Sequence, residues 1–456
     1  MKKLFGTDGM RGEAGTFPLD AATVETIGAS LATRLKQKLG RAPLIVIGRD
    51  TRESGEWLEE ALISGASKGG AELKTAGIIT TPGVAFLAHT MPADAGIVIS
   101  ASHNAYRDNG IKIFASSGRK LDDATECLIE SDVFSKRESG DGNRGNQSFI
   151  SFKAKTIEDD KLRLRYLDFL ANLIGRGVTL NGLRLVLDCA NGAASGLAPE
   201  LFDRLGATVI AINNEPDGRN INLGSGSLHT EGLQHEVKKQ HADLGVAFDG
   251  DADRALFVDA KGQLVDGDAS LWVFAKYLKT RDELKDNMVV ATVMSNIGLE
   301  IAFQSQKIRL VRTDVGDKYV LEELLRLAAS LGGEQSGHII FPTLSLAGDG
   351  LITSLNMLRA MTEAETSLHE LTEGFQTFPQ ILVNVEVKVK PPFAEVPSIL
   401  NVARKIETEL GSRGRLLLRY SGTESLARVM IEGENQDEIE IRAQELASVI
   451  RKELGT

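Results

Sequence analysis

The stretch Leu244-Gly245-Val246-Ala247-Phe248-Asp249-Gly250-Asp251-Ala252-Asp253-Arg254 runs a short apolar segment straight into three aspartates spaced two apart. An aliphatic run of this length reads as a buried strand. The triplet after it cannot stay extended and hold one small cation, because alternate strand residues lie ~6.6 Å apart. On a helix, residues two apart face different ways. A curled loop, eased by Gly250, brings the three carboxylates together. Like charges that close repel unless a cation lies between them, and hard oxygen ligands select magnesium or calcium. An EF-hand is excluded: its sixth position wants Gly and its twelfth Glu, where this chain has Arg254 and Ala260. The bland alternative, a solvated acidic turn, sits poorly at the end of a buried strand. Magnesium keeps part of its coordination for water and phosphate oxygens, so a phosphoryl group is the expected counterpart.

Working outward, the same order of elements occurs three times. Aliphatic runs at 44–47, 183–187 and 288–293 each lead through a turn into a helix-length segment. A second short strand follows near 72–79, 208–212 and 307–311, and later a polar loop at 100–104, 249–254 and 334–338. Clear strands precede the first two loops, at 96–99 and 244–248; the strand before the third is faint. Strands alternating with helices predict parallel or mixed sheets whose ligands gather at the strands' carboxyl ends. Beyond Thr372 the pattern changes: 381–389 alternates like a strand, Pro391-Pro392 breaks it, 396–410 and 437–454 suit helices, and strands at 416–418 and 429–431 flank a polar loop. The expected architecture is α/β: three related domains at 1–155, 156–257 and 258–370, with a smaller α+β domain at 371–456, around a central cleft. A helix is expected over 160–174, and a polar, Gly-rich flexible loop over 135–151.

Composition narrows the function. The 456 residues are 42% apolar and 25% charged, which suits a multi-domain globular protein. Aromatics make up only 5%, and the net charge is −11, so neither a base-stacking platform nor a basic face for nucleic acid or membrane is expected. Two cysteines, Cys127 and Cys189, suffice for neither a disulfide framework nor a structural zinc site. With no signal-peptide pattern at the start and no apolar run near ~20 residues, the chain is expected in the cytoplasm.

Four other loops carry chemistry. Ala101-Ser102-His103-Asn104 presents a hydroxyl at a strand end, unless it is a plain Ser/Asn-rich turn with His103 hydrogen-bonded, and Asn109-Gly110 after it reads as a hairpin turn opening into Ile111-Lys112-Ile113-Phe114. Alternation puts Lys112 on the face opposite Ile111 and Ile113. Gly332-Gly333-Glu334-Gln335-Ser336-Gly337-His338 sets polar side chains between glycines, which suits close approach to a polyhydroxylated ligand, although a Gly-rich surface turn would look the same. Arg419-Tyr420-Ser421-Gly422-Thr423-Glu424, with Arg428 beyond, suits a phosphate nest, although an ordinary hairpin would look the same. Phe5-Gly6-Thr7-Asp8-Gly9-Met10-Arg11-Gly12 holds Arg11 among glycines, within reach of a phosphate or in a plain N-terminal turn.

Together these five motifs, in this order from Phe5 to Arg428, resemble the α-D-phosphohexomutase family over nearly the whole chain. Phe5–Gly9 and Gly333–His338 most resemble its amino-sugar branch. The resemblance implies a heart-like arrangement of four domains and a reaction interconverting glucosamine 6-phosphate and glucosamine 1-phosphate. It further implies phosphorylation of Ser102, one Mg2+ per chain held by Asp249, Asp251, Asp253 and Ser102, and glucosamine 1,6-bisphosphate as intermediate and activator. His103 and Lys112 become acid/base candidates, with Arg11 and Arg254 near the transferring group. Glu334, Ser336 and His338 would contact the sugar, and Arg419, Ser421, Gly422, Thr423 and Arg428 the phosphate that stays put. Ala105 and Ser425 stand where the family commonly has Pro, which loosens the inference of sugar preference. Turnover of neutral hexose phosphates, a non-catalytic phosphosugar-binding regulator and a phosphatase are the competing readings. The expected partner is a small phosphosugar, and a homodimer is the assembly left open.

Overall fold

The computed structural model describes residues 4–6, 8–139, 159–421 and 424–455. They form two compact units, Met1–Met294 with Val311–Glu373, and Ser295–Leu310 with Gly374–Thr456.

The first unit contains three sheets. One is built from β1 (Met10–Glu13), β2 (Leu44–Arg49), β3 (Glu72–Ile78), β4 (Ala95–Ile99) and β5 (Asp108–Ala115), in the order β1-β5-β4-β2-β3. The next contains β6 (Arg184–Asp188), β7 (Thr208–Ile212), β8 (Leu244–Phe248), β9 (Ala255–Asp259) and β10 (Leu264–Val265), ordered β10-β9-β8-β6-β7. The third has β11 (Met288–Thr292), β12 (Arg309–Thr313), β13 (Gly332–Gly333) and β14 (Ile339–Ile340), ordered β12-β11-β13-β14. Stripped of β1 and β10, all three share one plan. The first strand sits between the second and third, and the fourth returns antiparallel beside the third. In the first two sheets the first three strands of this plan are parallel, with registers such as Ile45↔Ala95 and Leu185↔Leu244.

This plan explains the repeated polar loops. Each lies between the third and fourth strand of its sheet, at the carboxyl end of the third. The faint strand expected before 334–338 is β13, only Gly332 and Gly333, which pair in parallel with Val290 and Ala291. Two glycines supply no hydrophobic run, so periodicity could not reveal it. The returning strand β9 also places the expected boundary at 257/258 inside a strand of the second sheet. The boundary at 155/156 lies outside the described residues.

The loop expected over 135–151 begins later than anticipated, since a helix runs Asp123–Glu138. Asp122 caps it by accepting from the Thr125 backbone N–H, Ile129 and Val133 bury its inner face, and Lys136 and Arg137 occupy its last turn. Residues 140–151 lie outside the described set. The expected helix at 160–174 forms as an α-helix, Asp160–Phe169, continued by a π-turn, Leu170–Ile174.

The second unit has an antiparallel sheet of β15 (Gln380–Glu386), β16 (Arg415–Tyr420) and β17 (Leu426–Glu432), ordered β15-β17-β16. Helices Pro397–Leu410 and Gln436–Leu454 contribute Ile399, Ile406, Leu446 and Ile450 to its core. Ser295–Leu310 also groups here, although it was expected in the third α/β domain. Glu432 Oε2 accepts from the Ile297 N–H at 3.0 Å and from Arg415 Nε at 2.9 Å. Asn296 and Phe378 exchange two hydrogen bonds of 2.9 Å. Among the described residues no helix is long and apolar enough to cross a membrane.

Candidate active site

The buried strand β4 delivers Ser100-Ala101-Ser102 at its carboxyl end. Ser102 is buried with φ 54°, a left-handed conformation that costs a non-glycine residue about 1 kcal/mol. Its backbone N–H donates to Ser100 Oγ at 2.9 Å, and Ser100 Oγ donates to Asp50 Oδ2 at 2.6 Å. The Ser102 hydroxyl donates to Asp249 Oδ2 at 2.5 Å and lies 3.2 Å from His103 Nδ1. A hydroxyl from the first sheet therefore meets a carboxylate from the second.

The hairpin read at Asn109-Gly110 is not there. Both residues lie inside β5, and the chain turns earlier, between β4 and β5. Asn109 is buried, with its amide donating to Ser54 Oγ at 2.8 Å. A Cβ on Gly110 would come within 2.5 Å of the Ser100 carbonyl and 2.8 Å of the Met10 carbonyl, so this glycine serves close strand packing. The predicted alternation does hold: Ile111 and Ile113 join the first core while Lys112 faces the acidic loop.

Asp249, Asp251 and Asp253 are buried, with one ligand oxygen from each lying within 4.8 Å of the others. The curl is made at Ala252, φ 54°, rather than at Gly250. Gly250 is required for proximity, because a Cβ there would stand 2.5 Å from the Ser102 carbonyl oxygen. Thr81 donates its hydroxyl to Asp251 Oδ2 at 2.5 Å and its backbone N–H, at the start of helix Thr81–Thr90, to the Asp251 carbonyl at 3.0 Å. Gly350, opening helix Gly350–Ala364, donates to the Ala252 carbonyl at 2.9 Å. Two helix N-termini thus direct positive dipole ends toward the loop.

Burial, with Asp253 and Asp251 beside it, pushes Asp249 well above the usual carboxylate range. Burial also works against Asp253, but Lys112, His338 and Arg254 overcome it and hold that group well below. Among the described residues, Asp251 Oδ1 and Asp253 Oδ1 are buried without a hydrogen-bond partner. Three carboxylates, two of them with an oxygen that has no hydrogen-bond partner among the described residues, fit a small divalent cation with positions left for other oxygens.

Lys112 Nζ lies 2.9 Å from Asp251, 3.2 Å from Asp8 and 3.4 Å from Asp253. Burial opposes its charge, yet Asp251, Asp8 and Asp253 raise it well above the ordinary lysine value, so it stays an ammonium. Asp8 also pairs with Arg11 and, at 2.7 Å, with Lys120, which reaches Asp317 at 2.6 Å. His338 stands between Asp253 (3.6 Å) and Asp317 (3.9 Å). Burial works against its charge, but those carboxylates raise it to about 9. Lys112, Asp253 and His338 form part of the wall of a cavity of about 440 Å³. His103 is opposite in character: burial, then Arg254 and Arg11, lower it to about 4, so it is neutral at pH 7. Arg254 Nε lies 3.8 Å from Asp253 Oδ1 and, like the buried Ser336 Oγ in the loop between β13 and β14, has no hydrogen-bond partner among the described residues. In that loop Glu334 accepts from the Gly316 N–H at 3.1 Å.

In the second unit, Arg419 and Arg428 face each other in register on β16 and β17. Directly opposed like charges destabilise a sheet unless an anion compensates. Arg428 Nη2 binds Glu424 Oε2 at 2.8 Å, while its buried Nε has no hydrogen-bond partner among the described residues. Ser421 Oγ accepts from the Glu424 N–H at 3.2 Å. Gly422 and Thr423 lie outside the described residues. Lys390 donates to the carbonyls of Ser421 and Glu424, at 2.7 and 2.8 Å, holding both ends of the loop.

Sequence reasoning missed Asp50, Arg52, Thr81, Asn222, Asp317 and Lys390. Arg52 follows the first strand in Arg49-Asp50-Thr51-Arg52, a charged run at a strand end that was a usable signal. Asp50 lies in the same run; Thr81, Asn222, Asp317 and Lys390 carry no such signal, because their partners are distant in the chain. Thr81→Val should weaken divalent-cation affinity about tenfold, as loss of a residue supporting a ligand commonly does; titration calorimetry with Mg2+ or Mn2+ measures it.

Family models for phosphoglucomutase/phosphomannomutase match the chain in series: alpha/beta/alpha domain I over residues 2–140, domain II over 165–262, domain III over 266–378 and the C-terminal domain over 382–449. The chain is 49% identical to a phosphoglucosamine mutase of Solibacter usitatus, covering 100% of this chain and 99% of the relative. It is 45% identical to one from Syntrophus aciditrophicus, covering 100% of both. A phosphoglucomutase/phosphomannomutase family protein from Burkholderia thailandensis superposes with a TM-score of 0.78 at 23% identity, over 98% of this chain and 97% of that one. Aspergillus fumigatus N-acetylphosphoglucosamine mutase, solved with GlcNAc-6P and magnesium, gives 0.66 at 19%, over 98% and 95%. These two structures support the fold alone. The serial domain matches and the full-length identity identify the chain as a member of the phosphoglucomutase/phosphomannomutase family, the α-D-phosphohexomutases.

Proposed function

We infer that this protein is a phosphosugar mutase interconverting glucosamine 6-phosphate and glucosamine 1-phosphate, with the transferring phosphoryl group carried on Ser102. The observation that carries this reading is the 2.5 Å contact between the Ser102 hydroxyl and the buried aspartate triplet. The amino-sugar preference draws support from full-length relatives named phosphoglucosamine mutase at 44–49% identity.

Phosphorylated Ser102 gives its phosphoryl group to the sugar's free hydroxyl, whose proton passes to the serine oxygen as its bond to phosphorus breaks, forming glucosamine 1,6-bisphosphate; after the intermediate turns around, Ser102 takes the other phosphoryl group and its proton passes on to the sugar oxygen released. Added bisphosphate would load an unphosphorylated Ser102, which makes it an activator. In-line transfer needs positioning and neutralisation of oxygen charge more than covalent help from the protein. Magnesium, held by Asp249, Asp251, Asp253 and an oxygen on Ser102, would neutralise charge on the transferring group. Arg254 and Arg11 serve the same end, and Lys112, kept charged by its carboxylates, holds Asp251 and Asp253 in place. His103 Nδ1, neutral and 3.2 Å from Ser102 Oγ, accepts the serine proton when the phosphoryl group returns. Glu334 and Ser336 bind sugar hydroxyls, and His338 braces Asp253. Arg419, Ser421, Gly422, Thr423 and Arg428 grip the phosphate that is not transferring.

Ser102→Ala should abolish mutase turnover while leaving the circular dichroism spectrum unchanged; an active variant removes the assignment. EDTA should stop turnover and added Mg2+ restore it. Glucosamine 6-phosphate should outpace glucose and mannose 6-phosphates in kcat/KM, and a reversed order would make the protein a neutral-hexose mutase.

A further inference from the structure

The serine loop is held by two side chains outside the chemistry just described. Arg52 is fully buried and uses all five of its N–H donors. Nε donates to Asp50 Oδ2 at 2.8 Å, Nη1 to the carbonyls of Ala105 and, at 2.9 Å, Asp108, and Nη2 to the carbonyls of Ser102 and Asn104, each at 2.9 Å. Asn222, on the loop between β7 and β8, approaches from the second sheet. Its Nδ2 donates to the same two oxygens, Ser102 O at 2.9 Å and Asn104 O at 3.0 Å.

Both lone pairs of each carbonyl are therefore engaged, one by each domain. Between these bonds lies a serine in left-handed conformation, with φ 54°. Such a backbone persists only where surrounding contacts over-determine it. Gly250 also approaches the Ser102 carbonyl, so Asn222 and the acidic loop meet the serine from the same side.

We propose that Arg52 and Asn222 form a two-sided clamp on the carbonyls of Ser102 and Asn104, and that they are positioning residues which aim the Ser102 oxygen at the carboxylate triplet. The clamp rests on the mutase reading, because its purpose is in-line transfer from that oxygen. A misplacement of ~1 Å in such a reaction costs about 100-fold in rate. Lysine cannot replace Arg52, since an ammonium has three donors and no planar fork.

The test compares Arg52→Lys, Asn222→Ala and the double variant with wild type on glucosamine 6-phosphate. Each single variant should lose about 10- to 100-fold in kcat with KM changed less than about threefold. The far-UV circular dichroism spectrum of each variant should match wild type, a readout that general unfolding would not spare. Because both residues hold the same oxygens, the double variant should depart from the product of the single effects. If Arg52→Lys does not fold, Asn222→Ala, altering a half-buried residue, carries the test alone. A folded Asn222→Ala enzyme with wild-type kcat overturns the clamp, as does a loss confined to KM. Wild-type protein inactive on glucosamine, glucose and mannose 6-phosphates overturns the mutase reading itself, and the clamp with it.

Discussion

Three aspartates buried with their ligand oxygens inside 4.8 Å set a demand that the surrounding structure has to meet. At an effective dielectric constant of ~20, two unit charges that far apart repel by about 3 kcal/mol, and the triplet contains three such pairs. Positive charge must therefore be brought to a place from which water is excluded. Lys112 supplies a whole charge, Arg254 another, and helices Thr81–Thr90 and Gly350–Ala364 supply partial charge through N–H groups bonded to the loop's own carbonyls. Among the described residues, Asp251 and Asp253 each still keep one oxygen without a hydrogen-bond partner. The neighbours support the cluster without saturating it, which suits a site built to take an ion and phosphate oxygens.

The fold meets this demand by repetition. In each of three sheets the functional loop is the one between the third strand and its antiparallel successor, so one connection type carries three chemistries: a hydroxyl, a carboxylate cage, and a glycine-rich loop with Glu334, Ser336 and His338. Placing them on separate sheets lets each loop be rigid on its own strand pair while its side chains meet those of another. Asp8, Lys120 and Asp317 extend the contacts, tying the N-terminal segment and the third sheet into the charge network around Lys112. The second unit answers a simpler need: its antiparallel sheet sets Arg419 and Arg428 side by side, an arrangement suited to an anion.

Asn109-Gly110 shows how local and tertiary signals part. The dipeptide carries the strongest short-range hairpin preference, yet it lies within a strand, because Asn109 is claimed by Ser54 and Gly110 by two carbonyls of neighbouring strands. The strand Gly332-Gly333 was faint in the sequence for the converse reason: it contributes pairing and no side chain. Ala252 rather than Gly250 makes the turn in the acidic loop, and the glycine is spent on contact with the Ser102 carbonyl.

Within the chain alone, the order of strands, helices and loops was legible, as were the serine, the aspartates and the face to which Lys112 points, because period and spacing are local properties. Tertiary structure decided which oxygens meet. The 2.5 Å approach of Ser102 to Asp249 joins residues 147 positions apart, and Arg52 and Asn222 reach the serine loop across 50 and 120 positions. A hydrogen bond depends on distances of a few tenths of an ångström, and separations that large leave no trace in local sequence pattern.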